Sequence, residues 1–209
     1  MAARLFVPGY GTRAGFYRAA LDARWIVHEP PSFRSGAVFE AHVAAFETRL
    51  ASAREPVVVA GHSLGAAVAV VAAARWPELV ERLLLIAPAG LPLTKPIPAT
   101  LRDFRRQVAD GDYPPGELVR AIGSMLGAPR AAWRLAQSVR ALDLRQELAA
   151  VGRAGIPCDV VGCAGDTLTP LDHCRRIARL AGGRFREIEA RGGHMWPVVD
   201  PPAFGLVAP

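Results

Sequence analysis

The stretch PVVVAGHSLGAAVAVVAAAR, residues 56–75, leaves this chain few ways to fold. Residues 56–60 place three valines in a row with no polar alternation, which predicts a strand buried on both faces. Residues 64–75 are apolar almost all round, which predicts a helix enclosed by other elements. Trp76-Pro77 stops that helix. A buried strand running directly into a buried helix belongs in the middle of a layered α/β domain. Residues 57–74 approach the length of a bilayer span, but Gly61, His62, Ser63 and Gly65 interrupt them. The longest clean piece, residues 64–74, suits a core helix, so no membrane span is expected.

The flanking chain has the same rhythm. Short apolar runs at residues 5–7, 25–27, 80–87, 158–162 and 185–188 read as further strands. Phe39, Val43, Phe46 and Leu50 recur at helical spacing, and residues 171–180 read as another helix. This predicts an α/β fold with a mostly parallel sheet of about six strands flanked by helices. From 90 to 148 the pattern changes. Prolines at 92, 96 and 98 precede helix-like pieces at 101–109, 116–126 and 131–150, with no strand-like run between them. We read residues 1–90 and 151–209 as the core and 91–150 as a helical cap inserted into it. Asp200-Pro201-Pro202 is expected to begin a short terminal helix or coil.

Between the buried strand and helix lies Gly61-His62-Ser63-Leu64-Gly65, a G-x-S-x-G pattern. A serine on a sharp strand-to-helix turn exposes its hydroxyl, and glycines two positions either side allow close backbone approach. The helix behind it offers free amides. No phosphate-binding glycine pattern is present. A neutral hydroxyl needs a base, and the base needs an orienting acid. Of five histidines, His194 lies in the glycine-rich loop Gly192-Gly193-His194 right after the last strand, which can carry it over the carboxyl edge of the sheet. His62 is expected to pack rather than react. Asp166 ends the penultimate strand on the same edge. Asp159 stands at that strand's wrong end, Asp172 suits the first turn of the next helix, and the turn at residues 87–90 contains no acid. Ser63, His194 and Asp166 are therefore the expected nucleophile, base and orienting acid.

Composition narrows the partners. With 51% apolar and 21% charged residues the chain is neither disordered nor collagen-like. It carries 25 Lys+Arg against 19 Asp+Glu, a formal charge of +6. The arginines are scattered singly or in pairs among acids rather than forming a basic stripe with aromatics, so nucleic acid is not expected. Three cysteines cannot all pair, and their spacing fits no metal site, so reduced thiols, no metal and a cytoplasmic location are expected. The N-terminus shows no signal-peptide pattern.

The order Ser63, Asp166, His194, each directly after a strand, resembles the α/β-hydrolase family over nearly the whole chain. The resemblance implies the α/β-hydrolase fold with a reduced sheet lacking a leading antiparallel pair, and a helical cap over the site. It implies a serine hydrolase acting through an acyl-enzyme on a carboxylic ester or related acyl bond, with no cofactor. Serine at position 63 argues against dehalogenase or epoxide-hydrolase chemistry, where the family uses aspartate. It also implies an oxyanion hole from the Leu64 amide and one in the early loop Pro8-Gly9-Tyr10-Gly11, which points to Tyr10; the family commonly has His-Gly where this chain has Pro8-Gly9. Phe104, Met125, Leu126, Trp133 and Trp196 are candidate substrate contacts, with ordinary helix packing as the alternative reading. The partner expected is a small-molecule acyl substrate. The segment 91–150 holds nine cationic side chains against six acids, which points to an anionic or carrier-bound acyl group. Two other readings stay open: a thioesterase or acyltransferase on coenzyme A- or carrier-protein-bound acyl groups, and a non-catalytic ligand-binding protein of the same fold.

Overall fold

Strand β1 (Arg4–Val7) alternates its side chains between two cores, and this sets the layering of the whole molecule. In the computed structural model, which describes residues 3–35, 38–93, 95–109 and 111–207, Leu5 and Val7 face one buried cluster and Phe6 the other. After β1 come α1 (Ala14–Tyr17), β2 (Trp25–Val27), α2 (Phe39–Leu50), β3 (Val57–His62), α3 (Leu64–Arg75) and β4 (Val80–Ile86). Four helices follow without a strand: α4 (Ile97–Ala109), α5 (Pro115–Gly127), α6 (Pro129–Ala141) and α7 (Arg145–Arg153). The chain then completes β5 (Cys158–Cys163), α8 (Leu171–Leu180), β6 (Arg184–Ile188), α9 (Trp196–Val199) and α10 (Pro201–Gly205).

The six strands form one sheet in the order β2-β1-β3-β4-β5-β6, and every pairing is parallel. Parallel strands need both faces covered. The apolar sides of α2, α3, α7 and α8 cover one face, packing on Val57, Val59, Leu83, Leu85 and Val160. The other is covered by α1, α9 and α10 against Val58, Ala60, Leu84, Ile86 and Val161. The strand order reverses between β1 and β3, and there the loops after both strands diverge to leave a crevice at their carboxyl ends. This is the edge on which the sequence places its chemistry.

Two boundaries differ from expectation. The strand predicted at 56–60 extends through His62, so Gly61 and His62 belong to the sheet and the turn begins at Ser63. The single helix predicted at 131–150 is two, α6 and α7, separated at Leu142, Asp143 and Leu144. The break is tertiary in origin: the Leu144 amide donates to the Gly90 carbonyl at 2.8 Å, and Leu144 is buried. α7, which straddles residue 150, lays Leu148 and Val151 into the core beside α3. Cys158, Cys163 and Cys174 are free and buried. Among the described residues no helix is long and apolar enough to cross a membrane.

Candidate active site

Ser63 links β3 to α3 with φ +55° and ψ −116°, a conformation that costs a non-glycine residue about 1–3 kcal/mol. The neighbouring glycines make that turn possible. A Cβ on Gly61 would stand 2.5 Å from the Gly65 carbonyl oxygen, and one on Gly65 would collide with the Val7 carbonyl of β1. Ser63 is thus held against both β1 and β4, its own amide donating to the Ile86 carbonyl at 2.9 Å.

His194 arrives from the other side of the sheet, on a short 3-10 helix (Gly193–Met195) after β6. Gly192 and Gly193, at φ +89° and +53°, supply the left-handed backbone that this turn requires. The imidazole Nε2 lies 2.9 Å from Ser63 Oγ, and Nδ1 lies 2.8 Å from Asp166 Oδ2. Asp166 follows β5 and is buried. Its Oδ1 accepts the Leu168 and Thr169 amides at 2.8 and 3.0 Å, and Oδ2 also accepts the Thr169 hydroxyl at 2.7 Å. Burial opposes its charge, but His194 and the Thr169 donors outweigh burial and hold the carboxyl below its ordinary range. The structure therefore joins the three residues expected from sequence into one hydrogen-bonded chain.

Other positioning groups were legible only in part. Gln107 on α4 accepts the His194 amide at 2.7 Å and donates to the Thr167 hydroxyl at 2.8 Å. Nothing local to Gln107 signals this, because its partner is 87 residues away. Thr169 is local to Asp166, whose carboxylate accepts the Leu168 amide two residues on as turn aspartates do, and this brings the Thr169 hydroxyl to Oδ2. His62 was expected to pack, and it does so in a specific way. Its Nε2 is 2.9 Å from the His194 carbonyl, which can only accept, so Nε2 carries the proton. Nδ1 then accepts the Tyr17 hydroxyl at 2.7 Å, and that hydroxyl accepts the Gly9 amide at 3.2 Å. One neutral imidazole ties the His194 loop to the loop after β1.

Burial, with the nearby His194 charge, pushes the His62 pKa down to about 3. The unfolded chain regains an ordinary value near 6.5, so between these limits it binds one proton more than the folded protein. The stabilisation from this group is complete above about pH 6.5 and is lost as the pH falls toward 3. His28 and His173, also lowered chiefly by burial, act in the same sense. We expect stability to fall by a few kcal/mol over this window. A His62→Gln variant should show a shallower fall by up to one proton in denaturant melts from pH 8 to 4, and equal slopes would refute the assignment.

In the loop after β1, the Tyr10 amide donates to no backbone acceptor among the described residues, and its hydroxyl donates to the Ala132 carbonyl of α6 at 2.8 Å. Leu64 opens α3, whose first amides lack intrahelical acceptors. Ser63 and Tyr10 open into a cavity of about 410 Å³ beneath α5 and α6, walled mainly by apolar side chains that include Met125, Leu126 and Trp133. That volume is within the range of small-molecule sites, roughly 300–1,000 Å³. Trp196, the remaining candidate substrate contact, is placed elsewhere. It is fully buried beside Phe204 in the core under the sheet and does not line the cavity. The Phe104 side chain lies outside the described residues.

A sequence model described as the alpha/beta hydrolase family matches residues 5–204. The chain belongs to the alpha/beta hydrolase family. Solved structures resemble this alpha/beta hydrolase over nearly its full length. A candidate lipase from Acinetobacter baumannii superposes with a TM-score of 0.76 at 16% identity, over 96% of this chain and 80% of that one. An N-formylmaleamic acid deformylase from Pseudomonas putida gives 0.71 at 19% identity, over 99% and 92%. A hydrolase from Oleispira antarctica gives 0.74 at 16%, over 97% and 87%. At these identities the shared property is the fold. No curated protein matches the sequence.

Proposed function

We propose that this alpha/beta hydrolase is a serine hydrolase that cleaves a carboxylic ester or related acyl bond. The supporting observation is the continuous chain from Ser63 Oγ through both ring nitrogens of His194 to Asp166. In this reading His194 Nε2 takes the Ser63 proton as Oγ attacks the acyl carbon. The tetrahedral oxyanion is met by the Leu64 and Tyr10 amides. Collapse breaks the bond to the leaving group, which leaves with the proton from His194, and the acyl group stays on Ser63. Water then repeats the sequence, giving its proton to His194 and releasing the acid. Asp166 keeps the Nδ1 proton in place throughout. The helices α4–α6 serve as the cap, and the apolar cavity supports an acyl group with a hydrocarbon portion. A fluorophosphonate probe should label wild-type protein at Ser63 and leave folded Ser63→Ala unlabelled; folded wild type that resists labelling would overturn the reading.

A further inference from the structure

The cavity that opens at Ser63 is apolar for most of its wall, and the residues lining it include one arginine, Arg140 on α6. Arg140 is half-buried, and among the described residues its guanidinium donates to the Thr100 hydroxyl at 2.8 Å and the Lys95 carbonyl at 2.6 Å. Among the described residues, those bonds leave three of its five N–H groups without an acceptor. Among the described residues no carboxylate lies within ion-pair distance of it. Lys95, just before α4, meets Arg140 through its carbonyl, and its own ammonium is engaged by Asp103 and the Thr167 carbonyl. A permanently charged guanidinium at the end of an apolar wall, with N–H groups that the described residues do not take up, offers the planar fork that suits a carboxylate.

We propose that Arg140 binds a carboxylate at the far end of the acyl chain, so that the substrate is the ester or thioester of an acid bearing a second, anionic end. The proposal rests on the serine-hydrolase reading above and specifies its substrate class. The placement along α6 gives the length scale. Ala132, whose carbonyl holds Tyr10 beside the candidate oxyanion hole, and Arg140 are eight residues apart on this helix, about 12 Å. The apolar wall between them takes the methylene portion, and the guanidinium fork takes the carboxylate. Thr100 and Lys95, by holding two N–H groups, fix the fork in orientation before substrate arrives.

The test pairs p-nitrophenyl monoesters of straight-chain dicarboxylic acids with p-nitrophenyl esters of fatty acids of equal chain length. The kcat/KM ratio, anionic over neutral, should peak at about 10 to 100 at one intermediate length, the worth of a charge-assisted hydrogen bond pair. In Arg140→Gln the ratio should fall to near one, and Arg140→Lys should restore part of it. A purely structural Arg140 would lower both rates together and leave the ratio unchanged. Wild-type turnover of both series with a ratio at or below one at every length overturns the anion site and leaves the hydrolase reading standing. Absence of turnover in both series, with no fluorophosphonate labelling, overturns the hydrolase reading itself.

Discussion

Ser63→Ala is expected to lower kcat for ester hydrolysis by about a million-fold while leaving the thermal midpoint nearly unchanged. The rate loss follows because, among the described residues, no other hydroxyl lies within hydrogen-bond reach of His194 Nε2. Without Oγ only the oxyanion amides and binding remain, which together retain a small residual rate over water. The fold should tolerate the change because Ser63 makes no side-chain cap to α3, and its amide bond to Ile86 is a backbone contact. Alanine also meets the same steric cost at φ +55° as serine, so the turn is no more strained than before. The measurement is steady-state hydrolysis of a p-nitrophenyl ester alongside a thermal melt. A variant that keeps a tenth of wild-type turnover would show that another nucleophile serves the site.

The sheet and the three aligned residues were legible because each rests on a local pattern. Valines 57–59 have no polar face, and only a two-sided parallel sheet can hold such a strand, so its neighbours followed. Ser63, Asp166 and His194 could be read because each directly follows a strand, and all parallel strands end on one edge. What escaped was decided by distant partners. The break at Leu142–Leu144 depends on the Gly90 carbonyl, and an apolar helical rhythm continues across it. Trp196 was a candidate substrate contact, and its position is set by tertiary packing. After the 3-10 turn at Gly193–Met195 its side chain is buried beside Phe204 in the core on the α1, α9 and α10 face of the sheet. Tyr17, His62 and Gln107 form their network across 45 to 132 residues, beyond the reach of any periodicity.

Asp166→Asn should reduce kcat by about ten-thousand-fold, with Ser63 and His194 still in place. Its Oδ1 faces two backbone donors, and a carboxamide oxygen can keep them. The other position must then be the amide nitrogen, and it faces His194 Nδ1 as a donor. The imidazole can only accept that bond by moving its proton to Nε2, where it points at Ser63 Oγ and cannot take the serine proton. The same nitrogen also meets the Thr169 hydroxyl, which now has to turn and accept rather than donate. The loss is therefore in the base and not in binding: kcat falls while KM moves little, and fluorophosphonate labelling slows in parallel. A wild-type-like rate would mean that another carboxylate orients His194. The residues available do not offer one, since the turn after β4 carries no acid and Asp159, at the opposite end of β5, is held by Arg82 and Arg184 at 3.1 and 2.9 Å. Asp166 also contributes to stability with the sign of a lowered carboxyl. Its contribution is complete above the unfolded value of about 3.9 and disappears as pH falls through the folded one. In Asp166→Asn that acid-side loss should be absent, so the variant and wild-type denaturation curves converge in strong acid even though their activities at neutral pH are orders of magnitude apart.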